Sequence, residues 1–197
     1  MKLVDTQIKQ LIKEKQIQIT PYDATLVQPN SVDLTLGRSF AWYFKTDNDI
    51  LDTNNEASLS KGMMRVERDF IVVNPGEFLL AETREKIKIP KNIYAELHGK
   101  SSLARLGLTI HQTGGLIDSG FEGTITLEIK NENCRAIKLY AGMTIGQVTF
   151  EKVEECEVGY GDKEDAKYQN QTGATASKYK MRKNKKVSQE NNQKCPM

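Results

Sequence analysis

The residues that most often hold metals are scarce in this chain of 197 residues. There are two histidines, His98 and His111, and three cysteines, Cys134, Cys156 and Cys195. The cysteines are odd in number and far apart, which excludes a disulfide framework and fits reduced thiols in a cytoplasm. No two cysteines are close and His98-Gly99-Lys100 is not an H-x-E, so a zinc-activated hydroxide has no ligand set here. His111, on an alternating apolar segment, reads as a packed polar residue. No apolar run approaches the ~20 residues that span a bilayer. The opening MKLVDTQIKQLIKEKQ has no continuous apolar core of a signal peptide. The expectation is a soluble intracellular protein that makes no membrane contact. A βαβ alternation and a glycine-rich dinucleotide fingerprint are also missing, which excludes a Rossmann chain.

Charge of one sign is lacking over most of the length. The net +2 conceals a basic end: residues 178–197 carry +6, leaving the rest at −4. A mildly acidic body argues against specific nucleic-acid binding. The basic end, 179–197, reads as a disordered, solvated tail. An apolar fraction of 38% is modest, as expected of polar tails or of a core completed between subunits.

What is present is mostly strand. Ile8, Leu11 and Ile12 after Asp5 predict a short amphipathic helix over about 5–15, with Asp5 as N-cap. Period-2 alternation follows in QIQIT, SVDLTLG, SFAWYF, DFIVV, FLLAET, KIKIP, IYAELHG, TITLEIKN, AIKLY and AGMTIGQVTFEKV, with glycine, proline and asparagine between. Residues 45–62 read as an exposed excursion, and a brief helix is expected at SSLARLG. The fold class is mainly β, a distorted barrel or jelly-roll-like body over 1–158. From about 159 the apolar pattern dissolves, predicting a mobile tail. Within 159–178, Tyr160, Lys167, Tyr168 and Gln171 offer side chains able to close over a ligand.

Three features carry candidate chemistry. In GKSSLAR (99–105), Ser101 and Ser102 open a predicted helix beside Lys100 and Arg105, which suits phosphate, though an N-cap with surface charges looks the same. In GGLIDSGFEG (114–123), Gly120 and Gly123 permit tight turns around Asp118 and Phe121, and an aspartate there is also a common turn former. Glu128 sits on the polar face of TITLEIKN, away from Ile125, Leu127 and Ile129. It is either a solvated strand glutamate or, if that face is closed off, a carboxyl able to move a proton between water and a leaving group.

These segments, in this order, resemble the dCTP deaminase branch of the trimeric dUTPase superfamily. The resemblance runs from SVDLTLG (31–37) through FLLAETREKIKIP (78–90), HGKSSLARLGLTIHQTGGLIDSGFEGTITLEIKN (98–131) and AGMTIGQVTF (141–150) to AKYQNQTGATAS (166–177). It implies a dUTPase-like β-clip body, a homotrimer with sites between subunits, and a lid over 159–178. It implies conversion of dCTP to dUTP and ammonia, supplying dUTP and then dUMP for thymidylate synthesis, with dUTP or dTTP as product or inhibitor. Glu128 falls on the family's catalytic glutamate, with Ser101 and Arg105 positioning water, base or glutamate. Lys100, Ser101, Ser102, Leu103, Ala104 and Arg105 fall in the nucleotide-binding segment. Asp118 and Phe121 fall beside the deoxyribose, Thr126 and Leu127 beside the base, and Tyr160, Lys167 and Gln171 over the phosphates. By the same resemblance Mg²⁺ travels with the triphosphate, without direct protein ligands, and zinc is not used.

The chain departs from that pattern in three places. Lys100 stands where the family usually has arginine, so a forked phosphate contact becomes a point charge. Leu116 stands where strictly monofunctional deaminases tend to have arginine. Gln147, also assigned to the nucleotide site, occurs in relatives that hydrolyse the dUTP they make. The main expectation is release of dUTP; the alternative is a bifunctional enzyme yielding dUMP and pyrophosphate. A plain dUTPase and a non-enzymatic nucleotide-binding regulator are the further readings.

Overall fold

The computed structural model describes residues 1–44, 50–53, 55, 57–59 and 61–179. Its elements are α1 (Asp5–Lys13), β1 (Gln18–Thr20), β2 (Val27–Gln28), β3 (Ser31–Tyr43), β4 (Met63–Glu67), β5 (Phe70–Val73), β6 (Phe78–Lys88), β7 (Ile93–Gly99), α2 (Ser101–Ala104), β8 (Leu108–Thr109), β9 (Leu116–Ile117), β10 (Glu122–Asn131), β11 (Ile137–Tyr140) and β12 (Thr144–Lys152). One antiparallel sheet runs β8-β10-β6-β3-β12-β7-β9, with β1 on β6 and both β2 and β4 on β3. A separate ribbon pairs β11 with β5. The mainly β, barrel-like expectation holds: the large sheet curls into a half-barrel around an aliphatic core that includes Leu34, Leu36, Phe40, Leu97, Leu127 and Phe150.

The curl comes from strands that change partners along their length. SVDLTLG and SFAWYF, read as two strands, are one thirteen-residue strand, β3. Its first part pairs with β12, at Val32↔Val148 and Thr35↔Thr144. Its second part pairs with β6 and β4, with a register shift against β6 between Leu36 and Phe40. Gly37 lies at this crossover because the Glu82 side chain passes over it: a Cβ there would sit 2.6 Å from Glu82 Cγ. FLLAET and KIKIP likewise fuse into β6, while Met63–Glu67, just after the expected excursion, adds β4. That excursion, 45–62, lies only partly within the described residues, where Leu59 is buried and its carbonyl accepts the Tyr43 hydroxyl at 2.6 Å.

The alternation in β3 predicts Ser31, Asp33 and Thr35 on an outward face, and here the structure differs. All three are buried, because β3 is covered on both sides. A buried polar group must find a partner or forfeit its hydration. Ser31 Oγ donates to Gln147 Oε1 (3.1 Å), Asp33 receives Lys100 and Gln28, and Thr35 donates its N–H and hydroxyl to the Glu85 carboxylate (2.8 and 2.5 Å). At the N-terminus α1 starts as expected but ends at Lys13, and Val4, not Asp5, is the N-cap. The Val4 N–H goes to Gln7 Oε1 at 3.1 Å, and Asp5 sits in the first turn, where a carboxylate suits the positive end of the helix.

Residues 159–179 lack long regular elements, as their composition predicts, yet they are tied to the body. A single 3-10 turn spans Tyr160–Asp162, and Gln171 bridges Gly123 in parallel. The Gly173 N–H donates to Glu82 Oε2 (2.6 Å), the Ala174 N–H to Ser39 Oγ (3.0 Å), and Arg65 donates to the Ala174 carbonyl. Ala174 is fully buried. The basic tail, Tyr179 apart, lies outside the described residues. Among the described residues no helix is long and apolar enough to cross a membrane.

Candidate active site

A cavity of about 540 Å³ opens between β10, the 114–121 turn and the 160–177 segment. Glu128 lines it from β10, where the alternation holds from Thr126 onward: Leu127 and Ile129 are buried, and Thr126 and Glu128 face the cavity; before the register shift Thr124 is buried and Ile125, though buried, also lines the cavity. The Glu128 backbone is pinned by Ile110, whose carbonyl accepts its N–H at 2.8 Å. Its side chain is pinned too, since Oε2 accepts the Gln112 N–H at 2.8 Å. Oε1 lies toward Gly114, where a Cβ would stand 3.5 Å away. One carboxylate oxygen is therefore held by backbone and the other faces an open, side-chain-free wall.

Asp118 lines the same cavity from the turn after β9. The Phe121 N–H closes that turn onto the Asp118 carbonyl at 3.1 Å. Gly120 adopts φ +85 at its tip, and a Cβ would meet Gly159 Cα and Tyr160 N at 3.0 Å. Glycine there lets the returning chain pass over the turn and brings Tyr160 onto Phe121, with ring centroids 5.8 Å apart. Burial holds the Tyr160 phenol above its usual pKa, with the Asp118 charge adding to that direction, so at neutral pH it is uncharged. Its oxygen accepts the Tyr168 N–H at 3.1 Å. Next along β10, Glu122 joins Lys86 (2.6 Å) and Lys88 (2.9 Å), whose hydrogen bonds hold its carboxyl below the usual range. Gln171 completes the wall, donating its amide to the Thr124 carbonyl at 2.8 Å.

The structure thus gathers six of the expected residues, Asp118, Phe121, Thr126, Glu128, Tyr160 and Gln171, around one cavity. It leaves the others elsewhere. Leu127 is fully buried and faces the core, its backbone engaged in the β10–β6 ladder opposite Ala81. Lys167 does not line the cavity and instead stacks over the Tyr179 ring at 5.4 Å; its neighbour Tyr168 takes the place on the wall. Ser101, Ser102 and Ala104 stand exposed on α2, Leu103 packs against the core, and Arg105 is exposed at the helix end. None of residues 100–105 reaches this cavity. Lys100 is held by Asp33, and Gln147 is spent between Ser31 Oγ and the Gly99 carbonyl (3.3 Å). Sequence reasoning missed Tyr43, Phe78 and Leu80 on the wall. On β6, Leu80 and Phe78 stand opposite Glu128 and Lys130, and Tyr43 ends β3 opposite Met63; the signal is a tertiary one. Among the described residues no group of three His, Cys, Asp or Glu is arranged to hold a metal ion.

The architecture is that of a solved 2'-deoxycytidine 5'-triphosphate deaminase from Agrobacterium tumefaciens. The TM-score is 0.60 over 76% of this chain and 46% of that one, at 23% identity, a likeness of fold alone. The sequence goes further: residues 2–153 match the family described as dCTP deaminase-like, and the chain belongs to that family. It is 49% identical over 179 residues to a protein of Methanoregula boonei named "dCTP deaminase, dUMP-forming", covering 91% of this chain and 97% of the relative. A protein of the same name from Persephonella marina is 45% identical over 181 residues, covering 90% and 97%.

Proposed function

We propose that the protein is a bifunctional dCTP deaminase and dUTP hydrolase, converting dCTP to dUMP, ammonia and pyrophosphate. The observation that carries this is the presence of two separate carboxylates, Glu128 and Asp118, in one aromatic-walled cavity. The names of the two sequence relatives given above, both dUMP-forming, favour this alternative over simple release of dUTP. Glu128 takes a proton from a water that attacks C4 of the cytosine ring, then delivers a proton to the departing amine, giving dUTP and ammonia. Holding Oε2 on the Gln112 N–H leaves the other oxygen for that exchange. Asp118 orients a second water toward the α-phosphorus, and attack there releases pyrophosphate and leaves dUMP. Asp118, exposed on the cavity wall, is a hard oxygen donor suited to meet a hydrated Mg²⁺, and no carboxylate cluster for a dedicated metal site is found among the described residues. Mg²⁺ would enter on the triphosphate and neutralise its charge.

The assembly is a homotrimer in which α2 of one copy faces the cavity of the next, supplying Ser101 and Arg105. Supporting this, both groups are exposed and away from their own chain's cavity, whose rim also leaves Leu116 62% and Phe78 38% exposed. Equal amounts of Glu128→Gln and Arg105→Ala chains, each inactive alone, are then expected to recover about a quarter of wild-type activity when co-assembled, since a site needs one intact half from each copy. Recovery of none places both residues in one chain's site.

The segment over the cavity gives another expectation. Ending the chain after Tyr179 leaves kcat and KM within about twofold, because every contact described for the lid is kept, whereas ending it after Val158 removes Tyr160, Tyr168 and Gln171 and raises KM more than about tenfold. Steady-state kinetics on the two truncations measures both. The function itself is tested by incubating the purified protein with dCTP and Mg²⁺. Appearance of dUMP, pyrophosphate and ammonia supports the reading. Accumulating dUTP reduces it to deamination, and nucleotide binding without ammonia release leaves a regulator.

A further inference from the structure

The residues just ahead of α2 are clamped from two directions by groups the reaction does not use. Lys100 Nζ lies 2.7 Å from Asp33 Oδ1, with the two side chains only 25% and 10% exposed. The second oxygen of Asp33 accepts the Gln28 amide at 3.3 Å, so the carboxylate is fixed on the central strand β3 and braced from β2. One residue earlier, the Gly99 carbonyl accepts the Gln147 amide (3.3 Å), and Gln147 is itself held by Ser31 Oγ (3.1 Å). Three strands, β2, β3 and β12, thus contribute to holding two consecutive residues.

We infer that Asp33 is a positioning residue for Lys100, fixing the ammonium where it meets the β- and γ-phosphates of the bound nucleotide. This deepens the proposed function and rests on it. An ammonium on a four-carbon stem loses much rotamer freedom when it meets an anion, and it lacks the pre-formed fork of arginine. An ion pair to a rigid, mostly buried carboxylate removes that freedom before the ligand arrives. An ammonium has three protons, and the one contact to Asp33 leaves two to donate. The arrangement accounts for a lysine at the position where the resemblance leads one to expect arginine. It also gives Gln147 a part other than ligand contact, because both polar ends of its amide are engaged within the protein.

The test is calorimetric titration of the full chain, with Mg²⁺, against dUMP and against the triphosphate α,β-imido-dUTP, which cannot be split at the α-phosphorus. Wild type, Asp33→Asn, Lys100→Met and the double variant are compared, with thermal unfolding as a check on folding. Asp33→Asn is isosteric and is expected to weaken triphosphate binding about tenfold while changing dUMP binding less than about twofold. In the Lys100→Met background the same change is expected to have less than about a twofold effect on the triphosphate, since the group it positions is gone. Equal losses for dUMP and triphosphate, additive effects of the two changes, or unchanged or tighter triphosphate binding by Asp33→Asn would each overturn the inference. The last result would make Asp33 a competitor of the phosphates. A wild-type protein that binds the triphosphate no better than dUMP removes the underlying reading of the site, and the inference with it.

Discussion

Replacing Glu128 with glutamine is expected to reduce ammonia release from dCTP by about 10³-fold while leaving nucleotide affinity and assembly nearly unchanged. The amide keeps the size of the carboxyl, and its oxygen can still accept the Gln112 N–H that holds Oε2 at 2.8 Å. What it loses is the capacity to take a proton from water and return one to the amine. Because the position is half-buried on β10 with its backbone bonded to Ile110, no rearrangement of the strand is needed to accommodate the change. Coupled assays for ammonia, together with nucleotide titration of the same preparation, separate lost chemistry from lost binding. A Glu128→Gln assembly that still deaminates at a rate near wild type would remove Glu128 from the reaction.

Asp118→Asn is expected to split the two activities. Deamination should fall by no more than about tenfold, whereas release of pyrophosphate from added dUTP should fall by about 10²-fold or more. The reason is position: Asp118 is exposed on the turn that Phe121 closes, beside Tyr160, whereas Glu128 lies deeper on the strand. The variant should therefore turn dCTP into dUTP that accumulates. Chromatography of products over time reads this directly. Parallel loss of both activities would mean that Asp118 serves binding of the sugar alone.

Much of this site was legible in the chain because a half-buried strand repeats every two residues. Glu128, Thr126 and their buried neighbours follow that repeat, and Asp118 with its flanking glycines marks a turn of the kind the structure contains. The family resemblance added the order in which these pieces belong together. Three things were hidden. The polar half of β3 looked like an outward face, since nothing local reveals that Glu85, Lys100 and Gln147 come back to cover Ser31, Asp33 and Thr35. The wall formed by Tyr43, Phe78 and Leu80 depends on pairings between distant strands, which no short window contains. Most of all, GKSSLAR and TITLEIKN are neighbours in the motif but not in one chain's cavity. Nothing in the sequence marks that separation, because it depends on where the chain places α2 relative to β10. The 159–178 segment shows the converse: its composition is that of a loose tail, but the hydrogen bonds to Glu82 and Ser39 that secure it involve backbone groups common to any residue.

The central claim is that one cavity performs two successive hydrolyses, and heavy-oxygen water tests it most directly. With enzyme in excess over dCTP, in water enriched in heavy oxygen and with Mg²⁺ present, each reaction leaves one oxygen from solvent in its product. The account predicts dUMP carrying one label on C4 of the base and a second on its phosphate, with unlabelled pyrophosphate. Nucleotide that ends as dUTP labelled only on the base, or label found in the pyrophosphate, would contradict it.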